Sequence, residues 1–257
     1  MPNCFDLSNR VAVVIGGTSG IGRAIALGLA EQGADVVPTG RRSKNIDEVC
    51  ASIEAMNRRT VRHPSDIRDR REIDAFRDAI LQKFNRVDIL VNAAGYTFRQ
   101  PTIKLCDEQF SSILDTNVTG ALRACQSFYE PLKASAHGRV INIASLGSFL
   151  AFYEVAAYCA TKIALLSLTR SLAVEWAEDK ISVNAIAPGI FPTEMNNEII
   201  TGTPRGKELL TRTPMRRFGN PDELIGAAIL LASDAATFIT GQCIAVDGGF
   251  LASGVNS

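Results

Sequence analysis

Six short apolar runs, most of them rich in β-branched residues, punctuate the chain at 11–15, 36–37, 87–91, 140–143, 181–186 and 243–246. Longer segments with helical spacing lie between them. Ile21, Ile25 and Leu29 share one face of 21–32, and Ile73, Phe76, Ile80 and Phe84 share one face of 73–84. Segments 158–176 and 221–232 read the same way. Near-continuous apolar strands that alternate with helices predict a parallel sheet covered on both faces. Right-handed crossovers then give a doubly wound α/β fold, a Rossmann-type sheet, as a single domain over 1–257. A further short strand is expected near Val61. Segment 190–218 has weak periodicity and holds Pro192, Gly202, Pro204, Gly206 and Pro214. An irregular stretch of that length in a compact domain is usually functional, and it is read as a substrate lid.

Composition narrows the partners. Lys plus Arg equals Asp plus Glu at 27 each, so the basic excess that tracks phosphates on a nucleic acid is missing. None of the six cysteines falls in a C-x-x-C pair and only two histidines occur, which gives no support to a metal site. The thiols are read as reduced, as in a cytoplasmic protein. The longest apolar run, about 224–232, is far short of the ~20 residues that cross a bilayer. A small-molecule substrate is expected, with no membrane and no nucleic acid.

Small and polar residues gather after each run. Gly16 to Gly22 follows the first, Gly40-Arg41-Arg42 the second, Asn92-Ala93-Ala94-Gly95 the third, Ala144-Ser145 the fourth and Pro188-Gly189 the fifth; Asp66-Ile67 follows the short strand expected near Val61. Ligands of open parallel sheets bind beyond the carboxyl ends of the strands. In Gly16-Gly17-Thr18-Ser19-Gly20-Ile21-Gly22 the glycines let the backbone turn sharply and approach a pyrophosphate, and the following helix N-terminus favours the anion. Taken alone, the same pattern fits a simple strand-to-helix turn.

Tyr158 and Lys162 stand at i and i+4, on one helix face. A proton donor that is also a base near neutral pH suits alcohol–carbonyl chemistry. Bringing a phenol from its ordinary pKa near 10 to about 7 takes roughly 4 kcal/mol. An ammonium about 5 Å away supplies roughly 3 kcal/mol at an effective dielectric of ~20. A surface lysine beside a half-buried tyrosine is the bland alternative for this pair.

These segments, from Val11 to Gly249, resemble the short-chain dehydrogenase/reductase family. The resemblance places its tyrosine and lysine on Tyr158 and Lys162. Its serine falls on Ser145, 158 − 145 = 13 residues earlier, and its helix asparagine on Asn117. It implies that Tyr158 transfers the proton, that Lys162 lowers the phenol pKa and holds the nicotinamide ribose, and that Ser145 hydrogen-bonds the substrate oxygen. It implies that Asn117 keeps a water in a relay to Lys162. Asn92, Ala93 and Gly95 match the N-N-A-G segment that supports sheet and cofactor, and Pro188, Gly189, Ile190 and Thr193 match the segment that meets the nicotinamide amide. Ile15 and Ala93 depart from the usual Thr and Asn; Ile15 lacks the hydroxyl that often ties the glycine turn to the loop after the next strand.

Gly40 stands where an acid would bond the ribose of NAD, and Arg41 and Arg42 follow it. Guanidinium forks suit a 2′-phosphate, so NADP(H) is favoured, with NAD possible. Asp66 and Ile67 resemble the adenine-contacting pair, although Asp66 also suits a cap for the next helix. The loop Gly95-Tyr96-Thr97-Phe98-Arg99-Gln100-Pro101 resembles that of gluconate 5-dehydrogenase and related sugar-acid enzymes, which makes Arg99 either a clamp for a carboxylate or a surface residue snorkelling off the loop. Segment 190–218 carries five cations against three acids, a mild hint of an anionic substrate. A 3-oxoacyl-thioester reductase is the alternative, although Ala136 and Val174 stand where acyl-carrier-docking relatives have basic residues. A non-catalytic NAD(P)-binding sensor is the alternative of another class. The resemblance also implies a homotetramer.

Overall fold

The computed structural model describes residues 3–194 and 196–256. In chain order its elements are β1 Val11–Ile15, α1 Gly20–Glu31, β2 Asp35–Thr39, α2 Ser43–Ala55, α3 Arg70–Phe84 and β3 Ile89–Asn92. Then come α4 Asp107–Leu114, α5 Gly120–Ser127, α6 Tyr129–Ala134, β4 Arg139–Ile143, α7 Ala156–Glu175 and β5 Ser182–Pro188. The chain closes with α8 Asn197–Ile200, α9 Pro204–Arg212, α10 Ile225–Ala232 and β6 Cys243–Val246. All strands are parallel, in the order β2-β1-β3-β4-β5-β6. The expected doubly wound sheet is present, and the strand order reverses between β1 and β3.

Alternation along the strands builds two cores. Ala12, Val14, Ile89, Val91 and Ile141 face α1, α2 and α10, while Val11, Val13, Leu90, Val140 and Val183 face α3, α5, α6 and α7. Each fully buried aliphatic side chain contributes about 1.5–3 kcal/mol over leaving it in water. Close helix packing needs small residues at the contact. A Cβ on Gly28 of α1 would come 2.4 Å from Ile225 at the start of α10, so glycine there sets how near the helices lie.

The strand expected near Val61 does not form. Residues 58–65 run beside β2 but carry only scattered bonds: the Val36 N–H donates to the Arg59 carbonyl at 3.2 Å and the Thr39 hydroxyl to the His63 carbonyl at 2.7 Å. Val36 points its N–H away from β1, and Pro38, two positions on, faces the same way. Proline has no N–H to give, so the ladder stops after one bond.

Three other segments differ from the sequence reading. Helix α2 was not marked by the periodicity. Residues 107–132, given no helix in the sequence pattern above, form α4, a π-turn at Asp115–Thr119, α5 and α6. Segment 190–218 contains α8 and α9, since Thr203 accepts the Gly206 N–H and Pro204 takes the first helical turn, an N-terminal pattern that offsets the breakers around it. Among the described residues no helix is long and apolar enough to cross a membrane.

Candidate active site

The glycine turn is defined by what it leaves no room for. Gly16 has φ +79°, and a Cβ there would lie 2.6 Å from the Ala94 nitrogen; a Cβ on Gly22 would lie 2.2 Å from the Gly16 carbonyl oxygen. Gly20, at φ +51°, opens α1. Ser19 sits at the N-cap but makes no side-chain cap bond, and the first turn holds no acid. The amides there lack a side-chain partner and the helix field favours an anion. Thr18 is buried against Gly40, and Ile21 packs on the core. The tie that Ile15 cannot make with a hydroxyl is made by backbone: the Ala93 N–H donates to the Ile15 carbonyl at 2.9 Å.

The end of β5 closes over the same place. Gly189 donates to the Val246 carbonyl at 2.9 Å, and its missing Cβ admits Asp247 at 2.6 Å. Pro188 ends the strand, and Ile190 joins the cluster of Leu146, Ile200, Leu209 and Phe250. Thr193 reaches back to α1, where a Cβ on Gly20 would meet its methyl at 3.4 Å. The Thr193 N–H is held by Asn196 at 2.8 Å. Arg41 and Arg42 are exposed at the end of β2; Arg42 lies 3.6 Å from Glu194, whereas Arg41 has no ion pair among the described residues.

Asp66 and Ile67 lie beside this turn in different roles. Ile67 is buried under Gly120 of α5. Asp66 does not cap α3. That position belongs to Asp69, which accepts the Arg71 N–H at 2.8 Å, because the helix starts at Arg70. The Asp66 carboxylate instead receives Arg68 at 2.6 Å, and that bond is the main reason its pKa falls below the usual range.

The structure brings Asn117, Ser145, Tyr158 and Lys162 together. Lys162 is buried, and its Nζ donates to the Ile143 carbonyl at 2.7 Å, at the end of β4. Its Nζ lies 5.6 Å from the Tyr158 ring centroid. A Cβ on Gly95 would approach Asn117 Oδ1 at 3.1 Å and Lys162 Nζ at 3.7 Å, so glycine at 95 lets the loop after β3 pass over the ammonium. Asn117 sits in the π-turn. Its amide donates to the Tyr96 carbonyl at 3.0 Å and to Thr161 Oγ1 at 3.1 Å, and its oxygen accepts the Tyr96 N–H at 3.0 Å. Its side chain thus fixes the loop over Lys162.

The electrostatics differ from the expectation in one respect. Burial raises the Tyr158 phenol above its ordinary pKa, and the opposing hydrogen bond comes from Ser145, not from Lys162. The ammonium spends a bond on a main-chain carbonyl, and burial draws it down to about 8. Within the protein's own groups, burial favours the neutral form of both members of the pair. Ser145 Oγ accepts the Gly147 N–H at 3.1 Å, which fixes the hydroxyl beside the Tyr158 phenol.

Asn92 turns away from the site. Its amide donates to Asn142 at 2.8 Å and to the Cys125 sulfur at 3.3 Å, and Asn142 donates to Thr169 of α7 at 2.9 Å. Its contribution is to the sheet. Arg99 is already paired: its Nε lies 2.7 Å from Glu154, which is held at φ +62°. The sequence reading did not pick out Glu154 or Thr161. Nothing in the sequence marks a left-handed glutamate, and Thr161 is visible only as a neighbour of Lys162.

Comparison with known proteins identifies the family. The family described as enoyl-(acyl carrier protein) reductase matches residues 16–251. The 2-dehydro-3-deoxy-D-gluconate 5-dehydrogenase of Dickeya dadantii is 37% identical over 97% of this chain and 98% of its own. The D-threitol dehydrogenase of Mycolicibacterium smegmatis is 34% identical over 96% of this chain and 94% of its own. The structure of a gluconate 5-dehydrogenase from Burkholderia cenocepacia in complex with NADP and tartrate superposes with a TM-score of 0.93 at 34% identity, over 98% of each chain. With a glycine turn that no Cβ can enter, and a tyrosine, lysine and serine meeting beside it, the chain belongs to the short-chain dehydrogenase/reductase family.

Proposed function

We propose that the protein is an NADP(H)-dependent oxidoreductase that interconverts a secondary alcohol and a carbonyl on a sugar acid or polyol. The observation that carries this reading is the buried Lys162, with no acid partner among the described residues, one helical turn from a phenol that is hydrogen-bonded by Ser145. A buried cation with no carboxylate is costly, and such sites are kept where they serve chemistry. The relatives named for sugar-acid and polyol oxidation support the substrate class.

The residues fit a dinucleotide. Gly16, Gly20 and Gly22 leave room where side chains would stand, and Thr18, Ser19 and Ile21 complete the turn toward the open amides of α1. Arg41 is free to meet a 2′-phosphate, with Arg42 beside it. Gly95, Pro188, Gly189, Ile190 and Thr193 border the nicotinamide end. When bound, the cofactor accepts or supplies the hydride. Ser145 holds the substrate oxygen, Tyr158 takes or gives its proton, Lys162 stabilises the phenolate, and Asn117 fixes the loop above them.

Segment 190–218 acts as the lid. Ile200 and Leu209 pack on Leu146, next to Ser145, so lid and catalytic turn share one small core. A homotetramer is supported by apolar surface on α4 and α7: Phe110 is 37%, Ile163 55% and Val174 80% exposed. Six unpaired thiols are consistent with a reducing, cytoplasmic setting.

The test is a panel of sugar acids, polyols, ketones and β-ketoacyl thioesters with both nicotinamides, followed at the absorbance of the reduced cofactor. Turnover with NADP⁺ is expected, and Tyr158→Phe should lower kcat about a thousandfold while NADPH still raises the melting temperature. An undiminished Tyr158→Phe enzyme would remove the reading.

A further inference from the structure

The arginines around the substrate side are not equivalent. Arg99 is committed to Glu154 by a 2.7 Å ion pair, lies over the Tyr153 ring at 5.8 Å, and sits in a loop whose Gln100 N–H donates to the Glu154 carbonyl at 2.8 Å. In the lid, Arg217 is paired with Glu223 at 2.6 Å, Arg216 donates to the Thr211 carbonyl at 2.9 Å, and Arg212 stacks over Phe250 at 5.0 Å. Arg205 differs in its burial. Like Arg212 and Arg216 it has no carboxylate within 4.0 Å among the described residues, but it is half-buried where they are exposed, and its hydrogen bond to the Tyr153 carbonyl is long, at 3.3 Å.

Arg205 also stands where a cation is disfavoured. It occupies the first turn of α9, at the positive end of the helix, and that turn holds no acid. A guanidinium kept against the helix field and without a counter-charge is poised for an anion from outside the chain. Tyr153, which it touches, lies in the segment that joins the Ser145 turn to Tyr158, and its charge reaches Cys159, the next residue after Tyr158, opposing the upward push of burial on that thiol. Lys207 lies two positions on, off the same helix face.

We propose that Arg205 is the carboxylate-binding residue of the substrate site, and that Arg99 instead holds Glu154 and the loop at its own side. This rests on the oxidoreductase reading above and assigns the substrate class to those secondary alcohols that carry a carboxylate. A guanidinium fork meets a carboxylate in two parallel hydrogen bonds, so the contact orients the substrate as well as attracting it.

Initial rates with NADP⁺ are measured on D-gluconate and on a neutral polyol, threitol, for the wild type, Arg205→Gln, Arg205→Lys and Arg99→Gln. The melting-temperature rise given by D-gluconate in the presence of NADPH is read on the same four proteins. Arg205→Gln should raise KM for gluconate at least 30-fold, at least tenfold more than it raises KM for threitol, and should abolish the gluconate-dependent rise. Arg205→Lys should restore part of both, while Arg99→Gln should affect the two substrates alike. Equal losses on acid and polyol in Arg205→Gln, or a selective loss in Arg99→Gln alone, overturns the assignment. Threitol turnover by a wild type that neither oxidises nor binds gluconate overturns it too, yet leaves hydride transfer standing. No turnover of any alcohol by the wild type defeats the underlying reading, and the gluconate-dependent rise and its loss in Arg205→Gln still decide the anion site.

Discussion

The glycine turn and the proposed lid, residues 190–218, occupy the same edge of the sheet and are built by opposite means. At the turn, shape is set by absent atoms: Gly16 and Gly22 are in place because the backbone of Ala93 and Ala94 and that of Gly16 pass where side chains would be, and Gly16 and Gly20 because φ is positive. At the lid, shape is set by side chains that donate to main-chain carbonyls far away in sequence, such as Arg205 to Tyr153 and Asn256 to Thr211 and Arg212 at the end of α9. The turn therefore tolerates almost no substitution, whereas the lid can exchange partners. A site that binds one constant group and one variable group is well served by such a division.

Substitutions can sharpen or break that contrast. The largest effect is expected at Gly22→Ala, whose methyl would fall 2.2 Å from a carbonyl oxygen; NADPH binding should weaken about a hundredfold or more and stability should drop by about 1–3 kcal/mol, read by calorimetry and thermal unfolding. A variant that binds NADPH normally would show the turn to be softer than the lid.

Next comes Lys162→Met. The ammonium is drawn from 10.5 to about 8, so between those values the unfolded chain holds a proton that the folded chain does not. The Lys162 contribution to stability should therefore rise with pH across that window, by up to about 3 kcal/mol, while the buried thiols of Cys125 and Cys243, raised from 9.0 to about 12 and about 11, and the raised Tyr158 phenol oppose it above pH 9. The methionine variant should lack the rise, and urea midpoints at pH 7.5, 8.5 and 9.5 test it. Arg41→Ala should raise KM for NADPH about tenfold or more and leave KM for NADH nearly unchanged; equal shifts would place the phosphate elsewhere.

The smallest effects are expected where space is open. Gly202 in the lid has φ +73° but nothing within 4 Å of a built Cβ, so Gly202→Ala should cost only about 1–2 kcal/mol and spare NADPH binding. Gly226, inside α10 with nothing within 4 Å, should become slightly more stable as alanine, by up to about 1 kcal/mol in thermal unfolding.

The same contrast explains what could be read from the sequence. Local pattern carried the strands, the glycine turn and the Tyr158–Lys162 pair, because period, glycine spacing and i,i+4 geometry are local properties. It did not carry the failure of a strand near Val61, which depends on which way Pro38 faces once β2 is paired with β1. The cap of α3 passed from Asp66 to Asp69 because the helix begins a few residues later than the polar pattern suggested. The direction of the Tyr158 shift was missed for a similar reason: the sequence gives the spacing of the lysine, but not the carbonyl that claims its proton or the depth of both groups. Arg99 looked free until Glu154, 55 residues away in sequence, was found against it.

The amide pair of Asn92 and Asn142 has a consequence for the alignment of the whole edge. The two residues are direct partners across β3 and β4. Sliding either strand by one position would turn one amide to the opposite face and strand both in an apolar interior, so the pair works as a notch that admits a single alignment. Gly95 and Ser145 each follow three residues after the notch. Their shared height above the sheet, and with it the level at which two bound molecules can meet, is decided by a contact that touches neither of them.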